Sequence, residues 1–164
     1  MQRTIEYFES KGRENTEKTL ELAYQYAQEN GIKTLVLACT RGYTAGKALE
    51  LCPDLNLVAV GIERDRFPVQ EIERFENAGG SVIFSREIES NYPSDMQTAF
   101  RRFGQGTKVA VQVAVLAVQA GLVDEGETVV GIGGSSQGAD TALVIKASWG
   151  YPDVYVSEIL CKPL

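Results

Sequence analysis

The sequence predicts an α/β fold built on one open, mostly parallel sheet. Short apolar runs alternate with helix-length segments along most of the chain, which is typical of parallel strands joined by crossover helices. The runs are apolar throughout, as in strands that are covered on both faces. Crossover connections have one hand, so we expect helices on both faces of the sheet. The length of 164 residues fits a single domain covering residues 1–164.

The elements follow in order from these patterns. The first is a helix over 14–30, with Asn15 or Thr16 as its cap and Asn30-Gly31 at its end. Strands are predicted at 33–39, 56–62, 81–85, 127–133, 141–147 and 155–161, and further helices at 44–52, 69–77, 95–102 and 108–122.

Two segments need a separate argument. Residues 108–122 alternate at Val109, Val111, Val113 and Val115 like a strand, but their length and alanine content favour a helix that is buried nearly all round. About seven residues separate the strands at 127–133 and 141–147, and a parallel crossover needs about a dozen or more. We therefore predict that these two strands are antiparallel neighbours.

Composition limits the function. The net charge is −6 and the pI is about 4.8, so the surface repels nucleic acid and anionic membranes. The N-terminus is polar, and no segment has the length of a membrane span, which predicts a cytoplasmic protein. The sequence is compatible with a homo-oligomer.

The chain has no histidine, which removes the commonest general base and the usual transition-metal ligand. Its three cysteines, Cys39, Cys52 and Cys161, are too few and too apolar in context for a disulfide framework or a zinc site. We interpret them as reduced core thiols, so no metal is expected and no catalytic residue can be named.

The loop after the first strand of the alternating region is the best candidate for a phosphate site. It comprises Thr40, Arg41, Gly42, Tyr43 and Thr44, and it leads into a helix N-terminus with free N–H groups. Arg41 adds a fixed charge that suits a phosphate. An N-cap beside a surface arginine explains the loop equally well. The following Gly46-Lys47 resembles a P-loop, but the glycine spacing and the residue after Lys47 are wrong for nucleoside triphosphate hydrolysis.

A second glycine-rich loop joins the two antiparallel strands. Its candidate binding residues are Gly133, Gly134, Ser135, Ser136, Gly138, Ala139, Asp140 and Thr141. Backbone N–H groups, serine hydroxyls and the Asp140 carboxylate would line a pocket. The alternative is an ordinary hairpin in which Asp140 bonds its own backbone.

A third candidate is the break at Phe103, Gly104, Gln105 and Gly106 before the buried helix. Phe103 would stack on a ligand ring, and Gln105 would hydrogen-bond the edge of that ring. A core phenylalanine beside a loop glutamine is the alternative. Cys39 lies beside the first loop, and we interpret it as an inert core thiol.

Together these loops resemble those of a known family. The run Arg41-Gly42-Tyr43-Thr44-Ala45 is similar to the [ST]-G-x-[ST]-A loop of the pyruvate kinase C-terminal α/β domain. Residues 103–109, 120–122, 132–134 and 138–143 resemble the stand-alone archaeal and bacterial proteins that share this domain. Arg41 stands where that loop has a small hydroxyl residue, and residues 61–67 form a shorter segment than usual, without its histidine and glycine.

The resemblance implies a three-layer α/β/α sandwich whose mixed, mostly parallel sheet has one antiparallel strand. The stand-alone proteins lack the barrel that carries pyruvate kinase catalysis, so phosphoryl transfer is not implied. They are associated with bound flavin mononucleotide (FMN) and have no settled activity. The resemblance thus implies an FMN-binding protein, and the alternatives are a flavin-dependent oxidoreductase and a domain that senses a sugar phosphate.

Overall fold

The computed structural model describes residues 1–164 as a seven-stranded sheet covered by helices on both faces. The strands are β1 (Glu6–Phe8), β2 (Thr34–Ala38), β3 (Asn56–Gly61), β4 (Ser81–Phe84), β5 (Thr128–Gly133), β6 (Thr141–Lys146) and β7 (Tyr155–Pro163). The helices are α1 (Thr16–Asn30), α2 (Tyr43–Leu51), α3 (Val69–Asn77), α4 (Ser94–Arg101) and α5 (Gln105–Gln119).

The sheet has the order β1-β7-β6-β5-β2-β3-β4. Strand β6 is antiparallel to its neighbours β5 and β7, and every other adjacent pair is parallel. The predicted mixed sheet with one antiparallel strand is confirmed. So is the hairpin between β5 and β6, whose register runs from Gly133 opposite Thr141 to Thr128 opposite Lys146.

Two apolar cores make the domain a three-layer sandwich. One core packs α1, α2 and α3 against the face of the sheet that carries Leu35 and Leu37. The other packs α5, with α4 beside it, against the face that carries Val36. Successive side chains of a strand point to opposite faces, so β2 supplies both cores, as its uniformly apolar sequence predicted.

Some element boundaries differ from the prediction. Strand β1 was missed because it is short and gains its partner, β7, only from the far end of the chain. The predicted break at 103–106 is wrong in its second half, because α5 already begins at Gln105. Gly104, with a φ of +123°, ends the irregular segment, and the first turn of a helix tolerates Gly106.

Candidate functional site

A cavity of about 580 Å³ opens at the carboxyl edge of the parallel strands. One wall is the loop after β2, a second is the β5–β6 hairpin, and a third is a stripe of α5. Its remaining lining comes from the ends of β3 and β4, at Val60–Ile62 and Ser85. Crevices at this edge are where open α/β sheets bind ligands.

The structure brings about half of the predicted site residues to this cavity. Those that line it are Thr40, Arg41, Tyr43, Thr44, Gln105, Gly134, Ser135, Ser136 and Gly138. Those that do not are Gly42, Phe103, Gly104, Gly106, Gly133, Ala139, Asp140 and Thr141. The three candidate loops therefore do converge, although each contributes only some of its residues.

The N-terminus of α2 forms the floor of the cavity beside Cys39. No side chain caps this helix, and Gly42 precedes it with a φ of +94°. The Cys39 sulfur accepts a hydrogen bond from the Ala45 N–H at 3.4 Å. Burial raises the pKa of the Cys39 thiol, while the nearby N–H groups, that of Ala45 foremost, oppose the rise. Burial outweighs these N–H groups, so the Cys39 thiol ionises less readily than a free cysteine.

Thr44 lines the cavity at the start of α2 and is only 2% exposed. Its hydroxyl does not act as an N-cap, because α2 receives no side-chain cap. The hydroxyl is therefore a candidate hydrogen-bonding group for a polar ligand in the cavity.

The charge of the lining is one-sided. It contains Arg41 and Lys108 and no aspartate or glutamate. Neither cation has a carboxylate within ion-pair distance. Burial, and then the charge of Arg101, lower the pKa of Lys108. A protein of net charge −6 thus concentrates positive potential at one cavity.

Asp140 was predicted to line the pocket, but it is not among the residues that line this cavity. The side chain is fully buried and accepts hydrogen bonds from the Gly12 N–H, the Ser135 N–H and the Thr141 hydroxyl at 3.0, 3.1 and 2.8 Å. All the bonds of this carboxylate run to the protein. Asp140 stabilises the hairpin by bonding to its backbone, as in the alternative interpretation. It also binds the N-terminal segment to the hairpin through the Gly12 N–H.

The glycines at 106 and 133 serve packing rather than ligand contact. A Cβ at Gly106 would lie 2.7 Å from the Thr141 Cβ and would overlap the hydroxyl of that residue. A Cβ at Gly133 would lie 2.9 Å from the Ala110 nitrogen. Helix α5 therefore rests directly on β5 and β6, which explains part of the glycine-rich run without a ligand.

Phe103 and Gln105 were predicted to contact a ligand ring together, and the structure separates them. Phe103 is 58% exposed and lies outside the cavity lining. Gln105 does line the cavity. Its side-chain oxygen accepts a hydrogen bond from Arg101 Nε at 3.0 Å, which leaves its amide N–H groups free.

Helix α5 contributes several lining residues that the sequence analysis did not identify. They share one stripe of the helix: Lys108, Val109, Gln112, Val113 and Leu116. Because this helix was predicted to be buried nearly all round, its polar residues were not considered for the site. Their spacing could have indicated one polar face, since three- and four-residue steps separate Gln105, Lys108 and Gln112.

A second, more open cavity of about 430 Å³ lies at the opposite edge of the sheet. It contains none of the predicted site residues, and its lining includes the Glu127 carboxylate. Elsewhere, no three potential metal-ligating side chains cluster together. No helix combines the length and apolarity required to cross a bilayer.

The mixed sheet with helices on both faces defines a three-layer α/β domain of the doubly wound class. The family model for the pyruvate kinase alpha/beta domain matches residues 17–145. The chain belongs to this family.

Solved structures of Cryptosporidium parvum pyruvate kinase are similar to this chain. One is 15% identical, with a TM-score of 0.49, over 80% of this chain and 22% of that one. A second is 16% identical, with a TM-score of 0.43, over 74% and 21%. A third, in complex with ADP, is 14% identical, with a TM-score of 0.46, over 87% and 24%. The chain spans less than a quarter of the length of these pyruvate kinases.

Proposed function

We propose that this domain binds a small molecule carrying a phosphate group, with FMN as the first candidate, in the cavity at the carboxyl edge of the sheet. One observation carries the proposal. In an acidic protein, the lining of this cavity has two cations, a helix N-terminus and no carboxylate. Such an arrangement disfavours cationic ligands and attracts anionic ones.

The phosphate would bind against the loop after β2. Arg41 supplies a guanidinium, and Thr40 and Thr44 supply hydroxyls that line the same part of the cavity. The backbone N–H groups at the start of α2 complete the donor set. Charge-assisted hydrogen bonds of this kind contribute about 1.5–3 kcal/mol each.

The rest of the ligand would lie along α5. Val60, Val109, Val113 and Leu116 make this part of the cavity apolar, and Gln112 places an amide among them. The volume of about 580 Å³ is in the normal range for ligand pockets. Beside these apolar side chains the same wall carries the Gln105 amide and the Lys108 ammonium. Apolar side chains next to a few polar groups suit a planar ring with hydrogen-bonding edges better than they suit a sugar, which favours FMN over a sugar phosphate.

Bound flavin would supply redox chemistry by itself, so an oxidoreductase remains the alternative within this proposal. Phosphoryl transfer is no part of it. Such transfer uses carboxylates to hold magnesium and to orient the nucleophile, and the cavity presents none.

Comparing FMN with riboflavin tests the proposal, because riboflavin has the same ring without the phosphate. Titration calorimetry on the wild-type protein should show clearly tighter binding of FMN. The Arg41→Ala variant should weaken FMN binding by about 1.5–3 kcal/mol and leave riboflavin binding nearly unchanged. Arg3→Ala is the control, since Arg3 pairs with Glu158 far from the cavity. Equal affinity for the two flavins, or no binding of either, would refute the FMN proposal.

A further inference from the structure

Arg13 lies at the mouth of the cavity although it is remote from the other site residues in sequence. It begins a short 3₁₀ turn, Arg13–Asn15, that leads into α1. Its guanidinium carbon is 3.9 Å from the centre of the Tyr43 ring. Tyr43 itself lines the cavity, so this cation lies directly against a wall of the cavity. Arginine over an aromatic face is a favourable cation–π arrangement.

The backbone that carries Arg13 is fixed to the β5–β6 hairpin. The preceding Gly12 donates its N–H to Asp140, and the Thr16 hydroxyl donates to the Arg13 carbonyl at 2.7 Å. Thr16 also accepts the Ala139 N–H at 3.0 Å. Gly138 permits the close approach, because a Cβ there would lie 2.7 Å from the Arg13 Cα. The main chain at Arg13 is thus built into the site.

The guanidinium of Arg13 has no acceptor within the protein. Five of the nine arginines, Arg3, Arg64, Arg66, Arg74 and Arg86, pair with a carboxylate. Arg13 does not, although acidic residues outnumber basic ones by 22 to 16. Stacking on a ring uses the flat face of the guanidinium and leaves its five N–H groups available at the edge.

From this placement we infer that Arg13 is a third cation of the phosphate site, one that selects phosphate monoesters, which carry two negative charges, over diesters, which carry one. The inference rests on the proposed function. Coulomb energy scales with the product of the charges, so each added cation favours a dianion more than a monoanion. Arg13 is exposed, so its N–H groups would have to reach the phosphate past the edge of the Tyr43 ring.

The test uses phenyl phosphate and methyl phenyl phosphate as probes at pH 8, where the first is a dianion and the second a monoanion. Arg13→Met removes the charge and keeps an unbranched chain to pack on Tyr43. This variant should bind phenyl phosphate about three- to tenfold more weakly than the wild type, and the diester only about two- to threefold more weakly. Arg13→Lys should retain part of the preference, and Arg3→Ala should retain all of it.

The outcomes separate the two proposals. If Arg41→Ala weakens binding of both probes while Arg13→Met changes neither, the phosphate site stands and the role of Arg13 is refuted. If the wild type binds neither probe, both proposals fail. A melting temperature within about 2 °C of the wild type shows that Arg13→Met is folded, and an equal loss for both probes would assign Arg13 a structural role only.

Discussion

The Asp140 carboxylate accepts the Gly12 backbone N–H at 3.0 Å across 128 residues of chain. The same oxygen accepts the Ser135 N–H, so one buried group joins the N-terminal segment to the hairpin that walls the cavity. A fully buried carboxylate is costly unless it is well hydrogen-bonded. Here the Gly12 N–H, the Ser135 N–H and the Thr141 hydroxyl compensate for the burial. The two backbone bonds also fix the main chain at Ser135 and next to Arg13.

Asp140→Asn should therefore destabilise the domain. The amide keeps the shape and can still accept the two backbone N–H groups through its oxygen, but it loses the charge that strengthens these bonds and offers an NH2 where Thr141 now donates. This should lower the free energy of unfolding by about 2–4 kcal/mol. Urea denaturation measures this change. The exposed Asp65→Asn is the matched control and should change stability by less than about 0.5 kcal/mol. Equal effects of the two variants would show that the Asp140 bonds contribute little.

Two helical glycines give opposite predictions for the same substitution. Gly106→Ala forces a Cβ into Thr141, so it should destabilise the domain by about 1–3 kcal/mol. Gly46, in α2, has no neighbour closer than an arginine tip at 3.7 Å, so Gly46→Ala should stabilise by about 0.5–1 kcal/mol. Thermal melts of both variants provide the check. If both were stabilising, α5 would not rest on β6 as closely as the structure shows.

These glycines also show what the sequence could and could not predict. The alternation of apolar runs was enough to predict the mostly parallel sheet, and the short 134–140 connection was enough to predict the antiparallel hairpin. Neither indicates that Gly106 faces Thr141, because that contact joins residues from different elements. Glycines that serve a ligand and glycines that allow close packing look the same in one sequence.

The site was predicted best where it is local in sequence. The loop at 40–44 follows directly from a strand-to-helix junction, and four of its five predicted residues line the cavity. Lys108, Gln112 and Arg13 were not predicted, because their position relative to that loop depends on how α5 and the N-terminal segment pack. The apolar residues of α5 made its polar positions hard to recognise. The backbone at Arg13 is positioned by the hydrogen bonds of Asp140 and Thr16.

Lys108 should make phosphate binding depend on pH in the alkaline range. Burial and Arg101 lower its pKa, so it loses its charge at a lower pH than an ordinary lysine. Affinity for phenyl phosphate should fall as the pH rises from 8 to 10, while Arg41 stays charged. Lys108→Met should bind more weakly at pH 8 and show a flatter profile. Parallel profiles for the two proteins would place Lys108 outside the binding interaction.

The lowered pKa of Lys108 should also make the stability of the domain depend on pH. Between the lowered pKa of folded Lys108 and the ordinary value, the unfolded chain binds more protons than the folded one. Stability from this group therefore rises with pH in that window and is lost as the pH falls. The difference in unfolding free energy between wild type and Lys108→Met, measured by urea denaturation from pH 8 to 10.5, should change in that direction.

Cysteine alkylation should locate the ligand directly. Burial raises the pKa of Cys52 to about 12 and that of Cys161 to about 11, so both thiols should resist iodoacetamide in the native protein. Cys39 also has a raised pKa, but it lines the cavity and N–H groups favour its thiolate, so it should react first. Saturating FMN should slow its alkylation further, as measured by mass spectrometry of the peptides. In urea all three should react alike with or without FMN. If FMN binds but leaves the native Cys39 rate unchanged, the ligand lies outside this cavity.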